Sequence, residues 1–588
     1  MTFSNFDLIK RSILSHVTKP ARYIGGEINA SEKGFSPGRI NICLAFPDIY
    51  EIGMSHLGLK ILYNIINDKD YFSAERVFCP WMDMEKELRE HSIPLFSLEN
   101  KVQLKDFDVI GFSLQYELCM SNVLTMLDLA GIPFKSEDRG SEFPLVIAGG
   151  SSACQPEPFV KFFDVIVLGD GEHVILEFLE WVKRERKLLK KDKAKALEKL
   201  ASEIESVYVP SLAEPPRQVR RRKLKVLESC AYGEKLIVPH MQSVHNRVVV
   251  EIMRGCSRGC RFCQPGMINR PVVERPVKGI IEEAVRKVED TGFDEVSLLS
   301  LSAGDYSGIK KLVEELVSVF DKKSVSVSLP SLRADTFCID LASFVRKVRK
   351  TGITFAPETG NERLRKIINK DLTDREIIKA AGYAFSKGWN LIKLYFMVGL
   401  PGETDEDVLS IGSFIEKIIE AAKQSRKGRM SVNVTVSNFV PKAHTPFQWE
   451  NMNSIDELRR KHRLVRNSVK YKNLKISCHD PEMSYLESVF ARGDRSLADV
   501  VLKAWEKGAR FDQWNDIFDF TIWKSSFDEA GIDMSSFSCN PADKLPWSHI
   551  DYGVTQDFLV TERQKALKGE MTTDCRISKE CTGCGACD

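Results

Sequence analysis

Three cysteines fall within eight positions of the stretch MRGCSRGCRFCQPGM: Cys256, Cys260 and Cys263. Thiolates are soft ligands, suited to iron–sulfur clusters and to zinc. A structural zinc site asks for four ligands and closure. Three thiolates close together instead suit three irons of a four-iron cluster and leave the fourth iron open to a reactant. In that arrangement Arg258 and Arg261 would offset the charge of the cluster, and Phe262 would keep water out. A second set, Cys575, Cys581, Cys584 and Cys587, occupies thirteen positions near the end of the sequence. Glycines between its last three members let backbone amides turn toward sulfur, and four thiols so close together point to a metal centre.

These residues need elements to position them. The first trio follows the strand-like RVVVEIMRG. Further β-rich runs come after it: EVSLLSLSAG, SVSVSLPSL, GITFAPET, LIKLYFMVGLP and VNVTVSNFVP. Helical patterns separate the six runs, which predicts a partial or full α/β barrel with ligands at the carboxyl ends of its strands. An earlier series of INICLAF, AERVFCP, FDVIGFSL, PLVIAGG and FDVIVLG alternates with helices such as HLGLKILYNIIND. That series reads as a doubly wound parallel sheet. The expected layout is α/β throughout: a Rossmann-like domain over 1–185, a charged helix and linker over 186–240, a barrel over 241–480, and a small cysteine-containing domain over 481–588. The basic run Arg220 to Lys223 lacks interleaved aromatics and reads as a solvated connector rather than an RNA contact.

Composition narrows the class. A chain of 588 residues is too long for one core. Hydrophobic content of 43% with 28% charged residues describes an ordinary folded protein, and the net charge of +2 gives no bulk argument for nucleic acid or membrane. No apolar run reaches the ~18 residues of a membrane span. The opening MTFSNFDLIKRSILSHV lacks a signal peptide's apolar stretch, so a reducing cytoplasm is the expected compartment. There, cysteines serve as ligands, catalysts or buried hydrophobes rather than disulfides.

The pattern Cys-x3-Cys-x-aromatic-Cys, as Cys256, Cys260, Phe262 and Cys263, resembles the signature of the radical S-adenosylmethionine superfamily. The resemblance implies a [4Fe-4S] cluster whose open iron binds the amino and carboxylate groups of S-adenosylmethionine. One electron then cleaves the sulfonium to a 5′-deoxyadenosyl radical. It also implies cofactor contacts at the strand ends. Gly304, Asp305 and Tyr306 stand where the family has a Gly-Gly-Glu-like stretch that grips the methionine amine. Ser331 and Arg333 in SLPSLRAD fall to the ribose and carboxylate, and Glu358 in FAPETGNERLR points to the cofactor. Phe396, Met397, Val398 and Gly399 would offer backbone groups to the adenine.

Further segments resemble the cobalamin-binding-type domain that precedes many of these enzymes: FPDIYEIGMSHLGLKILYNIIN, IGFSLQYEL, VIAGGSSACQPEP and DVIVLGDGE. The whole combination is similar to one bacterial family of such fusions. Domains that hold cobalt through a protein ligand carry Asp-x-His-x-x-Gly. Here Asp48, Tyr50 and Gly53 occupy that frame, and a phenol is a poor cobalt ligand. His56 comes six residues later, where it begins or caps a helix. Either a corrin binds without a lower protein ligand, or the domain is a retained scaffold. Cys43, Cys79, Cys119 and Cys154 fall in or just after its strands and read as core residues, the rival being a second cluster as in methylthiotransferases. CTGCGACD resembles half of a ferredoxin motif, and for Cys575, Cys581, Cys584 and Cys587 iron–sulfur is preferred over the alternative, zinc, because a second cluster has uses in such an enzyme.

The expected activity is therefore that of a radical S-adenosylmethionine enzyme supplied by a flavodoxin- or ferredoxin-type donor. Two substrate classes stand open: RNA or a ribosomal component, by methylation or sulfur insertion, and a small metabolite or peptide with cobalamin in use. A non-catalytic iron–sulfur sensor is the reading outside enzymology. No residue is assigned to the chemical step itself.

Overall fold

The computed structural model describes residues 9, 12–212, 218–227, 235–329, 333–334, 352–425, 430–537 and 544–587. The chain forms two compact units, each discontinuous in sequence. The first runs to Asn246 and regains Gly493–Phe537 and Lys544–Tyr552; the second takes Arg247–Arg492 and the chain from Gly553 onward. The expected C-terminal domain over 481–588 is thus not a unit, because its residues are shared between the two cores. The expected linker over 186–240 likewise belongs to the first unit.

The first unit is built on strands β1 (Ile40–Phe46), β2 (Phe72–Phe78), β3 (Val109–Ser113), β4 (Leu145–Gly149), β5 (Val165–Val167) and β6 (Val207–Tyr208). Their order is β2-β1-β3-β4-β5-β6, all parallel except the β5–β6 pair. Every residue of β1 and β2 is buried, as strands covered by helices on both faces require. Helix α1 (Leu57–Asn67) buries Leu59, Tyr63 and Ile66 at the spacing of one helical face against the sheet's core, and buries Ile61 on its other side. The charged segment is two helices, α2 (Gly171–Lys191) and α3 (Lys193–Glu203), with Asp192 capping the second through the Lys195 amide. Their apolar faces join the sheet's core through Val174, Phe178, Trp181, Leu197 and Leu200, which is why this segment is no linker.

Nor is the basic run a solvated connector. Val219–Arg220 pairs with Ile550–Asp551 in a small parallel sheet. Arg221 is buried and donates to the Tyr552 carbonyl at 2.9 Å, while Arg222 is held by Glu177. Residues returning from further along the sequence also cover the segments that follow β1, β3 and β4. The Phe511 amide donates to Asn122 at 2.9 Å, the Trp514 indole to Asp48 at 3.2 Å, and Gln155 to the Gly493 carbonyl at 2.7 Å.

The second unit carries β7 (Val248–Glu251), β8 (Glu295–Leu299) and β9 (Ser326–Ser328) in one parallel arc. A second parallel arc contains β10 (Ile353–Glu358), β11 (Leu391–Val398), β12 (Ser431–Asn438) and β13 (Leu474–Cys478). All six expected strands are present. β13 is additional, and its LKISC sequence is too short and too polar to announce itself. Alternate residues of β11 and β12 are buried, so one face packs on a core of Ile377, Phe385, Ile411 and Ile415 from the covering helices. Helix α4 (Asp374–Ser386) starts at a capping box in which Thr373 and Glu376 each accept the other's amide. Helix α5 (Ile455–Ser468) precedes β13, and α6 (Gln556–Lys568) comes from the C-terminal return.

A charged network anchors the first unit. Arg76 is 1% exposed and bonds Glu99 at 2.6 Å and Glu27 at 2.9 Å. Burial works to raise Glu27, but Arg76 holds its carboxyl below the ordinary range. Arg76→Ala would leave both carboxylates buried without their cation and should cost about 3–5 kcal/mol, read from the urea midpoint. Because the folded-state value of Glu27 is depressed, the network's contribution is full above the ordinary carboxylate range and fades as pH falls through it. A mutant midpoint equal to the parent's would show that the network contributes nothing.

Candidate functional site

The trio sits on the loop after β7, at the carboxyl end of the strand. Two glycines shape that loop. Gly255 has φ +85°, and a Cβ there would lie 2.5 Å from the Asn269 carbonyl oxygen. Gly259 has φ +74° beside the Asn369 amide. Backbone N–H groups of Arg258 and Gly266 reach the sulfurs of Cys256 and Cys263. Burial, and then the neighbouring Cys260, push Cys263 up to about 12 and Cys256 above its ordinary value. Metal binding here must therefore release protons.

Amides aimed at sulfur and mutually close thiols fit an iron–sulfur cluster. Among the described residues no three cysteine, histidine or acidic side chains converge on one metal ion. A cubane spreads its thiolates over separate irons, so it does not ask for that convergence.

Charged side chains surround the trio. Arg258 makes a two-pronged pair with Asp305, which also accepts from Ser302 at 2.7 Å. Burial would raise Asp305, but bonds from Arg258 and Ser302 and the charges of Arg258 and Arg333 hold it low. Glu358 pairs with Lys370 at 3.1 Å, and Lys370 feels the charges of Glu358, Cys260 and Arg333. Glu358 sits at a bulge in β10 with φ +66°, a conformation a glutamate adopts at a cost. Asp305 thus bears on Cys256, and Lys370, the partner of Glu358, on Cys260, while Arg333 bears on both Asp305 and Lys370 and itself donates to the Asp371 carbonyl at 2.7 Å. The set offers both signs of charge, which suits the amino and carboxylate groups of an amino-acid moiety.

Other expected contacts have partners inside the chain. Tyr306 is buried and donates to the Arg275 carbonyl at 2.7 Å. Gly304 lies in a single 3-10 turn, Ala303–Asp305. The Gly399 amide donates to Glu403 at 2.7 Å. Carbonyls of Phe396 and Val398 accept from Ser437 at 3.1 Å and Phe439 at 2.9 Å. Met397 packs with Phe262 against Leu364, Ile368 and Phe447. Ser331 lies outside the described residues.

Arg261 does not face the trio. It is fully buried, bonds Glu562 of α6 at 3.0 Å, and donates to the carbonyls of Lys366, Ile367 and Glu570. The cation bearing on Cys256 is Arg270, which also bears on Cys575 and lies 5.5 Å from the Phe558 ring centroid. Sequence reasoning passed over Arg270, Asn369, Lys370 and Glu562. The segment RKIINK contains two of them, but nothing in its pattern says that they meet the cysteine loop.

The C-terminal cysteines lie in the same unit. Cys575 feels the charges of Cys584 and Cys587, and the Gly583 amide donates to the Cys581 sulfur at 3.3 Å. In the first unit, Tyr50 is buried and donates to Glu27 at 3.1 Å. His56 caps α1 by accepting the Leu59 amide at 3.1 Å, and burial lowers it to about 4. Neither ring is presented as a cobalt ligand. Cys43, Cys79, Cys119 and Cys154 are all buried, as core residues should be.

Two family profiles match the chain. One described as radical SAM proteins, N-terminal, covers residues 58–210, and one described as the radical SAM superfamily covers residues 250–415. An uncharacterized protein of Methanocaldococcus jannaschii is 28% identical over 82% of this chain and 98% of its own length. A tRNA-2-methylthio-N(6)-dimethylallyladenosine synthase of Thermotoga petrophila is 27% identical over 31% of this chain and 42% of that enzyme. The cobalamin-dependent S-adenosylmethionine radical enzyme OxsB, solved with aqua-cobalamin and S-adenosylmethionine, aligns over 90% of this chain and 80% of its own at 13% identity and a TM-score of 0.49.

After purification with hydroxocobalamin, any corrin retained should show a Co(II) paramagnetic resonance spectrum without axial splitting from a histidine nitrogen. Splitting that vanishes in His56→Ala would overturn the role given to His56 as a helix cap. The loop carrying Cys256, Cys260 and Cys263 and the two profile matches lead to one assignment: the chain belongs to the radical S-adenosylmethionine superfamily, an enzyme class that works with a [4Fe-4S] cluster and S-adenosylmethionine.

Proposed function

We propose that this enzyme modifies RNA, with Cys256, Cys260 and Cys263 holding the cluster and Arg333 and Glu358 contacting S-adenosylmethionine. Bound there, the cluster and cofactor would supply radical chemistry for hydrogen abstraction at an unactivated carbon. The chain's part is to hold the thiols, to present both signs of charge to the methionine end, and to seat the substrate.

The observation that carries the RNA reading is a basic edge on the second unit. Arg463 and Arg466 of α5 are exposed, as are Lys470, Lys472 and Lys475 leading into β13, the open edge strand of its arc. Among the described residues no acidic side chain pairs with Arg463, Lys470, Lys472 or Lys475. Tyr471 lies among them, half-buried, with the Lys423 ammonium 5.0 Å from its ring centroid. Unpaired cations beside an aromatic ring suit phosphates and a stacked base. In a chain of near-zero net charge, this cluster of exposed cations makes a local argument where composition made none. Similarity to the tRNA-modifying synthase supports the same reading.

Anaerobically reconstituted protein with dithionite should yield 5′-deoxyadenosine, and Ala at any one of Cys256, Cys260 or Cys263 should abolish it. Glu in place of Lys470, Lys472 and Lys475 together should weaken RNA binding and flatten its salt dependence by up to about three phosphates. That variant should leave S-adenosylmethionine cleavage in the absence of RNA unchanged. RNA binding equal to the parent's in the triple variant would sink the RNA reading and favour a small-molecule or peptide substrate.

A further inference from the structure

The segment carrying the last four cysteines is fastened to the cysteine loop of the catalytic trio at several points. Asp574, next to Cys575, accepts from the hydroxyl of Ser257, next to Cys256, at 3.0 Å. It also lies 3.6 Å from Arg258. Arg576 donates to the Asp305 carbonyl at 3.3 Å and pairs with Glu274. Thr572 and Asn369 exchange two hydrogen bonds, at 2.8 and 3.1 Å, while Asn369 also donates to the Arg258 and Gly259 carbonyls. Arg270 bears electrostatically on both Cys256 and Cys575.

The same segment reaches the surface at its other side. Cys581 and Cys587 are exposed, whereas Cys584 and the neighbouring Ala586 are buried. The Cys584 carbonyl accepts the Thr555 amide at 3.0 Å, which anchors this turn at the start of α6.

We propose that Cys575, Cys581, Cys584 and Cys587 form a second iron–sulfur site and the point where electrons enter this chain, joined to the catalytic trio through the Asp574–Ser257 hydrogen bond. From Cys575 to Cys256 the path runs through one peptide link, that hydrogen bond, and one more peptide link. With four thiolate ligands the second centre has no open iron, so it exchanges electrons and does not bind S-adenosylmethionine. A reduced flavodoxin- or ferredoxin-type protein, docking at the exposed cysteines, is oxidised by one electron. The tail centre hands that electron on toward the catalytic sulfurs. No bond forms or breaks and no proton has to move. The inference rests on the superfamily assignment and not on the identity of the substrate.

The test uses the full chain loaded anaerobically with iron and sulfide. Serine at Cys581, Cys584 and Cys587 together should lower the iron content by about four atoms per chain and leave a paramagnetic signal that shifts on adding S-adenosylmethionine. Mixed with reduced flavodoxin and freeze-quenched, this variant should develop the shifting signal several-fold more slowly than the parent. With titanium(III) citrate, which needs no docking site, the two should match. Ser257→Ala should keep the full iron content yet show the same slowing, and it decides the matter if the triple variant does not fold. Zinc in the tail, unchanged iron in a folded triple variant, or flavodoxin reduction of Ser257→Ala at the parental rate would each overturn the proposal. Because these readouts involve no RNA, they fail independently of the RNA-binding test.

Discussion

Three thiols can share one cluster only if the loop that carries them is stiff, and here the stiffness comes from Arg261. Its guanidinium is fully buried, and its fork of donors is spent on Glu562 and on the carbonyls of Lys366, Ile367 and Glu570. One side chain thus ties the cysteine loop to the segment after β10 and to the C-terminal return. Lysine could not do this, since it lacks the planar set of five donors. Such a pair adds little net stability, but breaking it would strand a carboxylate in the interior. Asn369 repeats the connection with hydrogen bonds alone, from a backbone position with φ +55°.

The mixed charge around the trio follows from the same packing. Arg258 is brought to Asp305, and Lys370 to Glu358, because the loop, the turn after β8 and the segment after β10 all end at one edge of the parallel arcs. A charge so placed is partly neutralised before any cofactor arrives. Positive and negative groups alternate there, so the edge favours a zwitterion over a simple anion or cation. Strain at Glu358 is tolerated because Lys370 holds its carboxylate.

How much of this was legible in the sequence depended on range. The strands of both α/β series were readable because burial on both faces writes a continuous apolar run, as in INICLAF, and burial on one face an alternating one, as in VNVTVSNFVP. The trio and the quartet were readable because their ligands are close in sequence. What failed were judgements about where charged segments go. KRERKLLKK hides an apolar stripe that packs on the first core, and the RRRK run is consumed by Tyr552, Asp551 and Glu177. Partners so far away in sequence leave no local signal. The same reason hid Arg270 and Glu562, and it misassigned Arg261, whose partner lies 301 positions on. Tyr50 was readable as a non-ligand from chemistry alone, and its burial against Glu27 shows what holds it in place.

The first unit is interrupted in sequence between Asn246 and Gly493. Phe511 and Trp514 donate to Asn122 and Asp48, contacts that the first 246 residues do not supply by themselves. A chain emerging from the ribosome must therefore make nearly the whole second unit before the first can close. The order of synthesis and the order of completion differ, and the first unit's sheet waits with the segments after β1 and β3 uncovered. Both units then reach their final form only once the segments from Gly493 onward have been made. The two halves mature together rather than in sequence.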